Sequence, residues 1–407
     1  MSTELVILVA IIFIIELMAY RLVKRKFHNY KHWKFVARVW LLSTVCLWSF
    51  LTLGIRNYEH WSLNFPAIFA TFSITFFGNL FPKLIMAPFQ ILDDIRYLMS
   101  LSYKKVTKSK SPVSRASFIN TIGTALGAVT LGSYLYGVGW GKYAYRVENI
   151  RVPLQNLPPA FKGLRIVQIS DAHLGSFVGQ PDAVLKALRT INDLKPDMIV
   201  FTGDLVNGSS SEAEDWIEVF ADLQAPMGKY SIMGNHDYGE YRNFTDEERL
   251  VDVKRLEEIH SEMGFKLLLD EHLYLEKGGD RIVLAGVHNW GGHFGKKGDL
   301  QKALKGSKSE SLTTILMSHD PTHFEQEVMG GKAPIDLTLS GHTHGMQMGI
   351  EIDWLGIKYS PVSMLYKRWA GLYKEGEQYL HVNRGFGVLA FRGRVGMPPE
   401  ITLLELI

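Results

Sequence analysis

The sequence predicts an α/β domain behind a bundle of about four transmembrane helices, and three observations predict it. The first third of the 407-residue chain is basic and carries four long apolar runs. The remainder is acidic and alternates short apolar runs with amphipathic stretches. Five of those short runs end in clusters of Asp, Asn, His and Gly. Residues 1–144 hold 16 Lys and Arg against 5 Asp and Glu, whereas residues 145–407 hold 28 against 36, and the boundary between a transmembrane region and an α/β domain is drawn there. With 47% hydrophobic and 21% charged residues the chain is neither disordered nor collagen-like, and it is long enough to bury a large core. The acidic second region offers no basic face to a nucleic acid, which excludes that class of partner. Cys46 is the single cysteine, so no intrachain disulfide forms and the second region has no thiolate.

The apolar runs cover residues 5–20, 35–55, 63–81 and 119–140, and approach the roughly 17 to 25 residues that cross a bilayer. Glu16 and Arg38 lie near predicted helix ends, where a long side chain reaches the interface at low cost, and no polar constellation is expected at the midplane to support transport. Lys and Arg resist translocation, and they gather in the first connector (Arg21, Lys24, Arg25, Lys26, Lys31, Lys34) and the third (Arg96, Lys104, Lys105, Lys108, Lys110, Arg115). The second has only Arg56. Connectors one and three are therefore expected in the cytoplasm, and four crossings put residues 145–407 on the non-cytoplasmic face. Basic residues follow the first run instead of preceding it, which argues against a removable signal. Residues 104–117, rich in Lys and Ser with Pro112, read as a solvated connector.

In the second region, residues 164–170 read as a buried strand and 198–202 as another. Between them, Val184, Leu185, Leu188 and Ile191 stand at helical spacing within residues 181–194. Thr245 with Glu248 forms a capping box that opens a helix towards Met263. Further strands are expected at 281–287, 313–317, 335–339, 379–382 and 401–406.

The polar clusters that end apolar runs are Asp171-Ala172-His173, Gly203-Asp204, Gly234-Asn235-His236-Asp237, Ser318-His319-Asp320 and Gly341-His342-Thr343-His344-Gly345. Strands in a sheet lie about 4.8 Å apart, so side chains at the ends of neighbouring strands converge on one small volume. Carboxylates and imidazoles are donors to divalent cations, and adjacent glycines permit tight turns. Seven candidate ligands, Asp171, His173, Asp204, Asn235, His319, His342 and His344, exceed the four of a structural zinc site and suit two adjacent cations sharing a carboxylate.

These blocks, in this order, resemble the motifs of the calcineurin-like metallophosphoesterases, D-x-H, G-D, G-N-H-D/E, H and G-H-x-H, across residues 151–407. The resemblance implies a two-sheet αββα sandwich with a dinuclear site at strand ends and metal-dependent hydrolysis of a phosphoric ester. It implies that Asp171, His173, Asp204 and His344 hold one ion and that Asp204, Asn235, His319 and His342 hold the other. It also implies that His236 contacts the scissile phosphate or protonates the leaving group, with Asp237 orienting it. A separate histidine is needed, because a ligating imidazole has its lone pair committed. Manganese, iron or zinc suits such a mixed shell. Residues 170–175, 341–347 and 397–403 are similar to the membrane-associated branch related to the phosphodiesterase YkuE, some relatives of which cleave UDP-diacylglucosamine at its pyrophosphate. Glycine usually follows the His-x-His-Gly block in that branch; Met346 stands here.

Asn383 and Arg384 follow a predicted strand and are candidates to grip a second phosphate. His288 and His293 belong to an exposed loop or a pocket rim. Trp354, Tyr359, Tyr366, Trp369 and Tyr373 are open to two uses, core packing or contact with acyl chains or membrane. The whole predicts a membrane-anchored phosphoesterase acting on a phosphodiester or pyrophosphate bond of a small-molecule, lipid or cell-envelope substrate. The alternative is a catalytically silent membrane scaffold that keeps the fold.

Overall fold

A computed structural model describes residues 3–54, 61, 66–107, 114–177, 181–292 and 294–407. Ile55, Arg56, Leu63, Lys108, Lys110, Pro112 and His293, all used in the sequence reading, lie outside the described residues. The chain divides into two compact units: residues up to Gly139 together with Ala390–Arg392, and Trp140–Leu389 together with Gly393–Ile407.

The first unit is built on four long helices, α1 (Thr3–Phe27), α2 (Trp33–Ser49, continued by a π-turn at Phe50–Gly54), α3 (Pro66–Thr107) and α4 (Ser114–Gly139). Each contains a stretch long and apolar enough to cross a bilayer: Val6–Phe27, Trp33–Gly54, Ile68–Met99 and Phe118–Gly139. Val6, Ile7, Leu8, Ile11, Phe13, Ile14 and Leu17 on α1 are exposed, as a lipid-facing surface requires. The third apolar run does not stop at Phe81; α3 continues through Pro82 and Pro88 to Thr107 and absorbs the start of the expected connector. Proline is tolerated inside a membrane helix because neighbouring helices can satisfy the carbonyl that it frees.

The extra length of α1 changes the place of Glu16, which is not near a helix end. It is the eleventh of the 22 residues of its span, Thr44 the twelfth of 22 in the second, and Lys83 the sixteenth of 32 in the third. These midpoints meet. Lys83 Nζ is 2.6 Å from Glu16 Oε2, both side chains are buried, and the Thr44 hydroxyl donates to Glu16 Oε1 at 2.5 Å. The Lys83 ammonium also lies 4.5 Å from the Trp40 ring centre, a cation–π contact. The expectation that the midplane lacks a polar constellation is therefore corrected. Nearer the C-terminal ends of α1 and α3, Arg21 pairs with Asp94 at 2.9 Å and Arg25 pairs with Asp93.

The second unit contains two six-stranded mixed sheets and a hairpin. The first sheet takes its strands from β1 (Arg146–Val152), β2 (Arg165–Ile169), β3 (Met198–Thr202), β4 (Lys229–Ile232), β5 (Phe265–Leu267) and β14 (Glu400–Leu406), in the order β1-β14-β2-β3-β4-β5. The second uses β6 (Glu271–Lys277), β7 (Asp280–Gly286), β8 (Thr314–Met317), β9 (Leu337–Ser340), β12 (Gly371–Glu375) and β13 (Gln378–Val382), in the order β12-β13-β9-β8-β7-β6. β10 (Ile350–Ile352) and β11 (Ile357–Tyr359) form the hairpin. Strand alternation sends Ile166, Met198, Val200 and Leu404 to one face of the first sheet, where they meet Ile282, Leu284, Ile315 and Leu339 of the second. The opposite face of the first sheet buries Ile199 and Phe201 beneath α5 (Pro181–Asp193) and α6 (Asp246–Glu262), which contribute Val184, Leu188, Leu256 and Ile259. The result is the αββα sandwich. The capping box is present, with Glu248 N–H donating to Thr245 Oγ1 at 3.2 Å and Thr245 N–H to Glu248 Oε2 at 2.8 Å.

β2, β3 and β4 are parallel neighbours in one sheet, and β7, β8, β9 and β13 are parallel neighbours in the other. Their carboxyl ends therefore form a common rim, where loops of open α/β sheets present functional groups.

Candidate metal centre

Every predicted ligand leaves one of these strand ends: Asp171 and His173 follow β2, Asp204 follows β3, Asn235 follows β4, His319 follows β8, and His342 and His344 follow β9. The loops cross-link through the backbone, with Asp171 N–H donating to Gly203 O at 2.8 Å and Gly341 N–H to His319 O at 2.9 Å. Gly341 permits closeness no other residue would, since a Cβ there would lie 1.9 Å from Ser170 Oγ and 2.3 Å from Asp171 Oδ2. Asp171, His173, Asp204, His342 and His344 all have left-handed backbone, with φ of 53°, 44°, 60°, 71° and 52°. Such residues cost about 1–3 kcal/mol each and persist where the surroundings over-determine them, which marks functional loops.

Two groups of donors result. Asp171, His173 and His344 form one and Asp204, His319 and His342 the other, each with its ligand atoms within 4.8 Å of one another. In the first, His173 Nε2 faces His344 Nε2 at 3.0 Å, and His344 Nε2 lies 3.2 Å from Asp171 Oδ1. In the second, His342 Nδ1 faces His319 Nε2 at 3.3 Å. Asp204 Oδ2 stands between the groups, 3.2 Å from His319 Nε2 and 3.7 Å from His173 Nε2. Asn235 Nδ2 donates to the Tyr241 hydroxyl at 2.9 Å, while its buried Oδ1 has no hydrogen-bond partner among the described residues.

The donors fit divalent cations. An orphaned buried carbonyl oxygen is costly unless it ligates something. His319 Nδ1 donates to Thr202 O at 2.7 Å, since a carbonyl only accepts, and this turns Nε2 towards Asp204. Although burial opposes ionisation of both carboxyls, the histidines around them, His344 and His319 at Asp171 and His319 and His236 at Asp204, hold both below the usual carboxylate range. Burial pushes His342 down to about 4 and His173 well below its ordinary value, which leaves both imidazoles neutral, the form that ligates. His319 is the exception. Against the cost of burial, the Asp204 carboxylate raises it to about 10, so a cation would displace a proton there.

Three predicted roles are corrected. Asp237 does not orient His236: its carboxylate accepts N–H bonds from Gly234 and Asp204 at 2.8 Å each, Leu205 at 2.8 Å and Val206 at 3.3 Å, and so ties the β3 and β4 loops together. His236 is oriented instead by Asn207 O, which accepts from Nδ1 at 2.8 Å, and by Tyr241, stacked on its ring at 4.2 Å. Arg384 and Asn383 are buried and do not reach out to a phosphate. The Arg384 guanidinium is engaged by Glu400, Glu148 and Glu351, the last at 2.7 Å. Asn383 donates to Thr402 Oγ1 at 2.9 Å and accepts from Gly385 N–H at 2.8 Å. Burial alone would raise the Glu400 carboxyl, but Arg384 and His381 hold it below its ordinary 4.5. Its contribution to stability is complete above 4.5 and lost as pH falls through the lowered value. Acid unfolding of the wild type should therefore be steeper below pH 4.5 than that of Arg384→Gln, as followed by tryptophan fluorescence.

The aromatic set divides. Tyr366 and Trp369 are buried, while Trp354 and Tyr359 are exposed and Tyr373 is partly buried. The Tyr366 hydroxyl is 2.9 Å from His342 Nε2, and that nitrogen lies 3.6 Å from Asp320 Oδ2. Arg394 was missed. This buried guanidinium donates to Arg384 O at 2.9 Å and to Gly387 O and Gly385 O, and lies 3.3 Å from His344 Nδ1. Nothing in the Gly393-Arg394-Val395-Gly396 segment signals that task. Met346 has φ +52°, which explains why glycine is usual there. Met346→Gly should leave the fold intact and stabilise it by up to about 1 kcal/mol, measured by denaturant unfolding.

Family profiles match both units, the calcineurin-like phosphoesterase over residues 164–346 and the probable calcineurin-like phosphoesterase transmembrane domain over residues 2–142. The uncharacterized metallophosphoesterase YkuE of Bacillus subtilis (strain 168) is 31% identical over 305 residues, 72% of this chain and 98% of that protein. The chain belongs to the calcineurin-like phosphoesterase family. Two further relatives of this phosphoesterase carry informative names. A transmembrane protein with metallophosphoesterase domain from Danio rerio is 29% identical over 74% of this chain and 67% of its own length. The UDP-2,3-diacylglucosamine pyrophosphatase LpxG of Chlamydia trachomatis is 31% identical over 62% of this chain and 87% of its own length. The calcineurin-like phosphoesterase is thus a metal-dependent phosphoester hydrolase with a membrane domain, and its family uses divalent metals.

Proposed function

We propose that this phosphoesterase hydrolyses a phosphodiester or pyrophosphate bond of a lipid or cell-envelope molecule, using two divalent cations, manganese, iron or zinc. The observation that carries the reading is Asp204 Oδ2, within 3.7 Å of a histidine from each donor group, as a bridging carboxylate requires. Asp171, His173, Asp204 and His344 would hold one cation, and Asp204, Asn235, His319 and His342 the other. Bound there, cations supply Lewis acidity, which activates a water and neutralises charge on the phosphoryl oxygens. His236 is the group that meets the substrate: Asn207 O accepts from Nδ1, so Nε2 is the nitrogen that faces the substrate, and in the imidazolium form, with a proton on each nitrogen, it would donate to a phosphoryl or leaving-group oxygen. Asp237 and Tyr241 hold the loop and ring that present it. A complete donor set favours hydrolysis over a silent scaffold.

Four spans and the pyrophosphatase relative support a lipid substrate. The ion pairs of Arg21 and Arg25 with Asp94 and Asp93 support a shared face for the C-terminal ends of α1 and α3, and the Lys and Arg gathered in the connectors that follow those ends support a cytoplasmic side for that face and a non-cytoplasmic side for the catalytic unit. Protease accessibility in sealed spheroplasts tests that placement: protection of the catalytic unit from added protease overturns it. His236→Ala should retain bound metal and lose about a hundredfold in kcat on an alkyl phosphodiester, with a smaller loss on a p-nitrophenyl ester, whose leaving group needs no proton. A preference for monoesters, measured on a panel that includes UDP-linked lipids, overturns the substrate class.

A further inference from the structure

Between His344 and β12 the chain makes an excursion that supplies none of the seven candidate ligands. Ile350, Trp354, Leu355, Ile357, Met364 and Leu365 are all exposed there, Trp354 by 84% and Met364 by 82%. The segment is not loose. Val362, Tyr366, Trp369, Ala370 and Met397 form a small core of their own beneath it, and Ser360 Oγ donates to Gly345 O at 2.7 Å. A folded scaffold with its own interior thus displays large apolar side chains outward, which a water-facing surface does not favour. The same segment reaches the donor cluster, because Tyr366, buried in that core, bonds His342 and Met346 follows directly on His344-Gly345.

The chain itself indicates what covers this surface. Only residues 140–145 separate the end of α4 at Gly139 from the start of β1 at Arg146, and six residues span at most about 21 Å. Lipid is therefore within reach of the unit that bears the excursion. Its composition, Trp and Tyr with Ile, Leu and Met, is that of a side-chain set favoured at a membrane interface.

We infer that residues 346–366 form a lipid-docking surface that inserts into the acyl region of the bilayer beside the metal centre. The surface holds the catalytic rim at the level of a lipid's phosphate, so the substrate is met without leaving the membrane. The insertion stands independently of the substrate class; its effect on turnover rests on the lipid reading above.

The test uses the full chain in phosphatidylethanolamine–phosphatidylglycerol vesicles, in a Cys46→Ser background labelled with bimane through Trp354→Cys or Met364→Cys. The comparison site is Val251→Cys on α6, also exposed. Quenching of the 354 and 364 labels by doxyl lipids, and not of the 251 label, is expected. Equal quenching of all three by aqueous iodide overturns the inference, and so does shielding of 354 and 364 from both quenchers, which would mark a second copy or another protein as the occupant. In a second arm, Trp354→Ser/Met364→Ser/Leu365→Ser should lower the ratio of turnover on a vesicle-borne pyrophosphate lipid to turnover on bis(p-nitrophenyl) phosphate by at least about tenfold. If doxyl quenching is seen but neither protein cleaves the lipid, the substrate reading fails and the docking surface stands.

Discussion

Asp204→Asn should abolish hydrolysis while leaving the fold in place. The carboxylate lies nearest both donor groups, and its Oδ1 also accepts the His236 N–H at 2.8 Å. An amide of the same shape keeps one oxygen but removes the negative charge that would offset the proposed pair of cations. Lewis-acid stabilisation is worth several kcal/mol, so the expected loss is about a thousandfold in kcat, equivalent to about 4 kcal/mol. Elemental analysis should show metal content reduced from the wild-type value, and circular dichroism should be unchanged. Wild-type turnover and metal content in Asp204→Asn would remove the bridging role.

The second large effect belongs to the membrane. Lys83→Met leaves Glu16 buried among three spans with, among the described residues, the Thr44 hydroxyl as its remaining partner. Removing one member of a buried pair costs about 3–5 kcal/mol, because the remaining charge has lost its compensation. Replacing both by apolar residues, Glu16→Leu with Lys83→Met, should recover most of that loss. Thermal unfolding in detergent micelles measures the cycle. A single variant as stable as the wild type, or a double variant less stable than the single, would show that the pair does not hold the helices.

Sequence patterning exposed the strands that are buried on both faces. β3 and β8 are nearly unbroken apolar runs, and β2, β9 and β14 are buried at almost every position although Gln168, Thr338, Glu400 and Thr402 interrupt their apolar residues, because a sheet inside a sandwich meets side chains above and below. β1, with Arg146, Glu148 and Arg151, and the three-residue β10 and β11 carry no such signal, since they are edge or surface strands. In the membrane unit, Pro82 and Lys83 looked like the end of an apolar run because sequence alone does not show Glu16 waiting on another helix. The same limit governs the site. The donors were legible, because Asp, His and Gly at strand ends are a local pattern. What Asp237 and Arg384 do depends on partners that only folding assembles: Arg384 meets Glu148 from 236 residues away, and Asp237 spends its oxygens on the amides of another loop.

The left-handed backbone at five of the donors also constrains how the centre can evolve. Asp, Asn and His are the non-glycine types that adopt φ near +55° most readily, and they happen to favour borderline and hard cations. A cysteine introduced at position 171, 173, 204, 342 or 344 would offer a soft sulfur but would also have to bear the conformational cost. Drift towards thiophilic metals is thus hindered by the shape of the main chain before any question of affinity arises, and diversification is channelled into the surrounding loops.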